Sequence, residues 1–341
     1  MKTRYLRQIR LPEIGEKGQE NILRSCVTLV GCGALGTVAA EILVRAGVGH
    51  IKIIDRDVVE LTNLQRQSLF DESDARESRP KALAAARHLC SINSEIVVDP
   101  EIKDLNRRNA EELLCGSDLI LDGTDNFETR FLVNEVSLKH RIPWIYGGAV
   151  GSRGMAAFFE SAKTPCFQCL LNVLPPAEDT PTCETAGVFG PIIHWVASLG
   201  AGLALRWLSN SADPAPAVLY ALDIWRTRVD EFPMKDLKAP GKCPACEEHR
   251  YPHLAGETGQ RAKTLCGRNA VQLACPDNRA MDIRSLGERL KKIGEVTQFP
   301  AMIKFRSGAD ELLVFEDGRT IVQGTTDVER AKTLLAKYIG V

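Results

Sequence analysis

Gly31-Cys32-Gly33-Ala34-Leu35-Gly36 places three glycines at G-x-G-x-x-G spacing, between an apolar run and a helical pattern. Such glycines let the backbone approach a phosphate at a helix N-terminus, where free N–H groups favour an anion. Asp55 closes the next apolar run, about twenty residues on, where a carboxylate accepts from ribose hydroxyls. A tight turn without a ligand is the plainer alternative, and on these residues alone a nicotinamide dinucleotide leads. The following residues point elsewhere. Residues 57–70, DVVELTNLQRQSLF, set Asp57, Asn63, Arg66 and Gln67 just past the ribose end, and Lys81 opens the next helical pattern. Two cations beside a phosphate loop suit a triphosphate better than the diphosphate of NAD. Residues 119–130, LILDGTDNFETR, then end a strand with Asp122 and Asp125, where the carboxyl ends of parallel strands open onto a ligand crevice. An exposed carboxylate there can hold Mg²⁺ between phosphate oxygens. Each charge alone reads as a solvated loop residue; together, at successive strand ends, they read as a site.

The cysteines divide by spacing. Cys166-x-x-Cys169 and Cys243-x-x-Cys246, with 73 residues between the pairs, supply a complete tetrahedral thiolate set for zinc. With all four positions filled by protein, that zinc is structural and ties the far end of this region back to its beginning. Two disulfides are the alternative, disfavoured because eleven cysteines in a chain without a secretory signal indicate a reducing, cytoplasmic compartment. Cys183 stands alone in the loop TPTCETAGV, just ahead of an apolar helix whose N-terminus lowers a thiol's pKa. Single loop cysteines are also often incidental.

The elements that must position these residues follow from hydrophobic period. Strand-like runs at Val27–Val30, Ile51–Asp55, Ile96–Pro100, Leu119–Asp122 and Trp144–Ala149 alternate with helical patterns at Thr37–Arg45, Arg79–Ser91, Asn109–Leu114 and Phe127–His140. That rhythm gives a doubly wound, mainly parallel α/β sheet of Rossmann type. After Gly151 short strands surround a long apolar helix within Ala186–Leu208, which Pro191 and four glycines mark as buried under a sheet rather than crossing a membrane. Residues 251–264 read as a linker between residues 1–250, which carry the glycine loop and the cysteine pairs, and a small α+β domain over 265–341. In the tail, a helix over Ile283–Ile293 precedes strands Met302–Arg306, Glu311–Phe315 and Thr320–Gln323, with a hairpin turn at Asp317-Gly318. A last helix starts at Thr326 with Glu329 as a capping box. At 44% hydrophobic and 26% charged the chain is a folded globular one, and a net charge of −1 argues against nucleic acid as partner.

The ordered motifs resemble the ThiF/MoeB/HesA adenylyltransferases, relatives of the ubiquitin-activating enzymes. The likeness runs over about residues 1–250, through RYLRQI (4–9), VGCGALG (30–36), DRDVVELTNLQRQ (55–67), RPK (79–81), DGTDN (122–126), PCFQC (165–169), TCETAGVFGP (182–191) and CPAC (243–246). It implies that Gly33, Asp55, Asn63, Arg66, Lys81, Asp125 and Asn126 bind ATP and Mg²⁺, with Gly31, Gly36, Asp57 and Gln67 completing the nucleotide set. It implies that Arg7 reaches into the neighbouring subunit's site of a homodimer, and that Cys183 serves covalent carrier or sulfur chemistry. The implied substrate is a ubiquitin-fold sulfur carrier ending in Gly-Gly, adenylated at its terminal carboxylate with release of pyrophosphate, for thiamine or molybdenum-cofactor biosynthesis; a sulfur donor protein is a further implied partner. Two departures stand out. Gly200 follows Ser198-Leu199 where relatives often carry Gln, and the tail lacks the glycine spacing of a rhodanese loop. An NAD-dependent oxidoreductase would leave Arg66, Lys81 and Asp125 without a task, and an inactive carrier-binding scaffold would have no need of the intact charged set.

Overall fold

The computed structural model describes residues 3–171, 186–210, 215–239, 241–257, 270–273, 281–325 and 327–339. The short apolar runs become strands β1 (Cys26–Val30), β2 (His50–Ile54), β3 (Val97–Glu101), β4 (Leu119–Asp122) and β5 (Trp144–Val150). They lie parallel in the order β3-β2-β1-β4-β5. Strand order reverses between β1 and β4, so the carboxyl ends of these two strands flank the crevice where open α/β sheets bind ligands.

Strands β6 (Arg153–Phe159), β7 (Val218–Asp223) and β8 (Arg228–Pro233) extend the same sheet antiparallel from β5. The segment after Gly151 is therefore a continuation of the main sheet. The cause is local: Gly151, at φ +61°, opens a two-residue turn that pairs Val150 with Arg153 and folds β6 straight back.

Helices α1 (Gly15–Arg24), α2 (Ala34–Ala46), α3 (Lys81–Ile92), α4 (Phe127–His140) and α5 (Gly190–Leu208) cover the sheet. The apolar α5 packs on α2, β5 and β6, burying Ile192, Ile193, Val196 and Ala201. Its sequence is apolar because protein surrounds it, and among the described residues no helix is long and apolar enough to cross a membrane. Gly200 fits this packing: a Cβ there would come within 3.4 Å of the Ile145 side chain.

On the opposite face Trp144, next to Ile145 in a strand whose side chains alternate, joins a core of Val30, Ile120, Phe131, Val136, Phe159 and Phe167. Helix α4 is buried without interruption over residues 129–137, so its polar members need partners. Asn134 Oδ1 accepts from Phe167 N at 3.0 Å. Glu135 accepts from His253 N (3.1 Å) and Leu254 N (2.8 Å), the first turn of α6 (Pro252–Ala255). Burial pushes the Glu135 carboxyl up to about 7, against the pull of those two N–H groups. His253 also stacks on Phe131 at 4.9 Å. The start of the segment read as a linker is thus docked structure, held by a buried carboxylate that carries no mark in the local sequence.

The chain divides into two compact units, residues 1–259 and 260–341. The second is an antiparallel sheet of β9 (Ala270–Leu273), β10 (Glu295–Phe299), β11 (Met302–Ser307), β12 (Asp310–Phe315) and β13 (Thr320–Gln323), in the order β10-β11-β12-β13-β9. Helices α7 (Ile283–Leu290) and α8 (Val328–Tyr338) pack Leu286, Leu290 and Leu334 against Ile303, Phe305, Leu312 and Val314. The hairpin turn falls at Gly318, φ +85°. Three expectations need correction. Helix α7 stops at Leu290, ahead of Ile293. The edge strands β9 and β10 escaped the sequence reading because neither alternates cleanly. The cap of α8 is Asp327, whose carboxylate accepts from Glu329 N and Arg330 N; an acidic cap also suits the positive end of the helix. Thr326 lies outside the described residues.

Candidate nucleotide site and cysteine cluster

The turn after β1 depends on absent side chains. Gly31 takes φ +86°, and a Cβ on Gly36 would sit 2.1 Å from its carbonyl oxygen. A Cβ on Gly123, just beyond β4, would sit 2.3 Å from the same oxygen. Gly33 differs, since a Cβ there would meet nothing nearer than 3.9 Å, where Gln67 Nε2 lies. Its missing side chain leaves open space before α2, and Gly33 as N-cap makes no side-chain capping bond to that 13-residue helix. The first-turn N–H groups are therefore available to a ligand. Gln67 Oε1, at the edge of this space, is buried and has no hydrogen-bond donor.

Asp55 ties the loop to its surroundings. One carboxylate oxygen accepts from Cys32 N at 2.6 Å, the other from Asp57 N at 2.7 Å. Burial raises its pKa, opposed by Lys81 and by these two N–H donors. Both oxygens keep a lone pair for ribose hydroxyls. Asp57 in turn pairs with Lys81, Nζ to Oδ2 at 3.3 Å, and its carbonyl accepts from Lys81 N. Lys81 is only 3% exposed and stands first in α3, where the helix dipole disfavours a cation. An ammonium has three donors and this one has a single hydrogen-bond partner among the described residues, so it retains capacity for an anion.

Asn63 is buried, its Oδ1 accepting from Glu60 N at 3.1 Å, and Gln67 N donates back to Asn63 O. Arg66 lies half-buried on the same turn, its Nη1 donating to Thr62 O at 2.9 Å. At the end of β4 the two aspartates part company. Asp122 is buried and engaged by Thr124 and Arg130, which removes it as a metal ligand. Asp125 is exposed and has no hydrogen bond or ion pair among the described residues. An exposed carboxylate making no such bond, at the rim of the glycine loop, fits Mg²⁺. Asn126 is the N-cap of α4, its Oδ1 accepting from Thr129 N at 2.9 Å.

The structure thus brings the glycine loop, Asp55, Asp57, Asn63, Arg66, Gln67, Lys81, Asp125 and Asn126 to neighbouring turns at one rim of the sheet. Arg7 is different: it is exposed on the short helix Leu6–Ile9, and no described contact brings it to this rim. Cys183 lies outside the described residues. Arg130 is the residue that sequence reading passed over, for an arginine one turn into a helix looks like a solvated charge.

The cysteine pairs converge. Sγ separations are 3.8 Å for Cys166–Cys169, 3.6 Å for Cys166–Cys243 and 3.4 Å for Cys169–Cys246, and all four sulfurs lie within 4.8 Å of one another. A tetrahedral site with Zn–S bonds near 2.3 Å has sulfur–sulfur edges of about 3.8 Å. The hydrogen bond between Cys166 and Cys169 pulls the Cys169 thiol down and pushes the Cys166 thiol up, and burial pushes the Cys246 thiol up. The cluster packs against Leu138 of α4, the helix that Asn126 caps.

A model of the ThiF family matches residues 5–245. The sulfur carrier protein ThiS adenylyltransferase of Bacillus subtilis (strain 168) is 40% identical over 341 residues, covering all of both chains. The sulfur carrier protein adenylyltransferase of Thermus thermophilus is 36% identical over 248 residues, 71% of this chain and 90% of that one. Among solved structures, E. coli MccB with ATP matches at a TM-score of 0.60 and 23% identity, covering 72% of this chain and 74% of that one. At that identity the likeness is one of fold.

Gly36→Ala is expected to cost about 1–3 kcal/mol of stability, because the new methyl must displace the Gly31 carbonyl. Thermal unfolding with and without ATP should show a lowered midpoint and a smaller shift by nucleotide. An unchanged midpoint and shift would mean that the backbone crossing relaxes freely.

Proposed function

This chain belongs to the ThiF family, and from that premise we infer that it is a sulfur-carrier-protein adenylyltransferase. It adenylates the C-terminal glycine carboxylate of a small ubiquitin-fold carrier ending in Gly-Gly, for sulfur transfer in thiamine or molybdenum-cofactor biosynthesis. The observation that carries this reading is the crevice itself: an open glycine loop, a buried lysine with spare donors and an exposed aspartate at one rim, in a chain matched end to end by an enzyme of that name.

In the reaction a carboxylate oxygen of the carrier attacks the α-phosphorus of ATP. The bond to the bridging oxygen of the β-phosphate breaks, and pyrophosphate leaves with that electron pair. Gly31, Gly33 and Gly36 let backbone N–H groups approach the phosphates. Lys81 and Arg66 offset the charge that grows on the leaving group. Asp55 accepts from the ribose, while Asn63, Gln67 and Asn126 shape the walls and Asp57 holds Lys81 in place. Asp125 would hold Mg²⁺, which would supply charge neutralisation at the phosphates. Arg7, exposed on one protomer, completes the site of its partner in a homodimer. Cys183 acts after adenylation: its thiolate attacks the acyl-adenylate, AMP leaves, and a thiol-labile bond to the carrier forms. A sulfur donor protein then serves the same carrier, in the cytoplasm. The four thiolates of Cys166, Cys169, Cys243 and Cys246 hold a structural zinc.

Asp125→Ala is expected to abolish carrier-dependent ATP–pyrophosphate exchange; full exchange in that variant would contradict the assignment. Elemental analysis should find one zinc per chain, and Cys243→Ser should lose it and melt at lower temperature, since such sites contribute folding energy. A metal-free protein of unchanged stability would count against the site. Cys183→Ala should retain the exchange half-reaction and lose the covalent carrier adduct. A variant that still forms the adduct would reduce Cys183 to a loop residue.

A further inference from the structure

Among the described residues Asp125 makes no hydrogen bond or ion pair, so its position is set by its flanks. Those flanks converge on one side chain. Arg130, whose side chain is only 7% exposed, donates from Nε to Asp122 Oδ2 at 2.9 Å. Its Nη2 donates both to Thr124 O at 2.6 Å and to Gly147 O at 2.9 Å. The other Asp122 oxygen accepts from Thr124 N (2.8 Å) and Thr124 Oγ1 (2.6 Å). The guanidinium lies over the rings of Tyr146 (4.9 Å) and Phe127 (5.4 Å), which fix its plane. Asn126, following Asp125, is held as the N-cap of α4.

We propose that Arg130 is the positioning residue for Asp125. Its planar fork joins the end of β4, the loop and β5, and so sets where the exposed carboxylate meets a divalent cation on the nucleotide. Buried against Asp122, the guanidinium gives the site geometry rather than free charge. A lysine keeps the charge but has a single nitrogen, and cannot reach three acceptors held in a fixed plane. The inference rests on the reading of Asp125 as a cation ligand.

The test measures metal binding directly. Mn²⁺ is titrated into the full chain with a non-hydrolysable ATP analogue, and free Mn²⁺ is followed by electron paramagnetic resonance. Arg130→Lys is expected to weaken Mn²⁺ binding by about 10-fold to 100-fold, as loss of a partner that orients a metal ligand does. Metal-free binding of the analogue should stay close to wild type. In an Asp125→Asn background the same substitution should add nothing, because Arg130 acts through Asp125. Thr124→Ala, which loses only the hydroxyl bond to Asp122, should weaken Mn²⁺ binding in the same Asp125-dependent way and carries the test if Arg130→Lys fails to fold. Equal losses in both backgrounds, or unchanged Mn²⁺ affinity in the folded variants, overturn the inference and leave Asp125 as the ligand. Wild-type Mn²⁺ affinity in Asp125→Asn alone overturns the reading of Asp125, and this inference with it.

Discussion

The carbonyl oxygen of Gly31 lies where Gly36 and Gly123 would otherwise carry side chains, and three backbone segments meet around it. The turn after β1, the first turn of α2 and the turn after β4 can touch only because none of them presents a Cβ. That steric constraint sets the crevice at the point of strand reversal. It also brings the turn after β4, with Asp125, beside the glycine loop. A methyl at Gly33 would cause no such clash, so its absence leaves space for a ligand. Within one hexapeptide, then, Gly31 and Gly36 serve packing and Gly33 serves access.

The charges around this crossing are arranged by burial. Removing a charge from water is costly unless a partner compensates it. Asp55 is compensated by two backbone N–H groups, Asp122 by Arg130 and Thr124, and Glu135 by the first turn of α6. Lys81 is only partly compensated by Asp57, and Asp125 has left the interior altogether. Lys81 and Asp125, each with unused capacity among the described residues, are a cation and an anion, a pair that suits a metal-bound triphosphate. Helix α4 carries the arrangement outward, for it starts at the Asn126 cap, holds Phe167 through Asn134 and ends near the cysteine cluster through Leu138.

Much of this was legible in the sequence because strong local signals marked it. The parallel strands are short apolar runs between glycines and polar turns, and β4 and α4 fall at the expected residues, Leu119–Asp122 and Phe127–His140. The cysteine pairs announced themselves by spacing. What stayed hidden depends on distant partners. Arg130 has its meaning only through Asp122 and Gly147, Glu135 only through residues 253 and 254, and Asp122 looked as solvated as Asp125. Strand β10, EVTQF at an edge, buries too little to show a period, and Asp327 displaced the expected cap because a carboxylate one residue on serves the same N–H groups.

Activation of a carrier's terminal carboxylate by ATP in this crevice would show as pyrophosphate exchange. Incorporation of labelled pyrophosphate into ATP tests it most directly, using the purified protein with a ubiquitin-fold carrier ending in Gly-Gly and with the same carrier lacking its last glycine. Label should enter ATP only with the intact carrier, because exchange requires the acyl-adenylate to form and reverse. Exchange that is independent of the carrier's terminal glycine, or no exchange with any such carrier, would contradict the account.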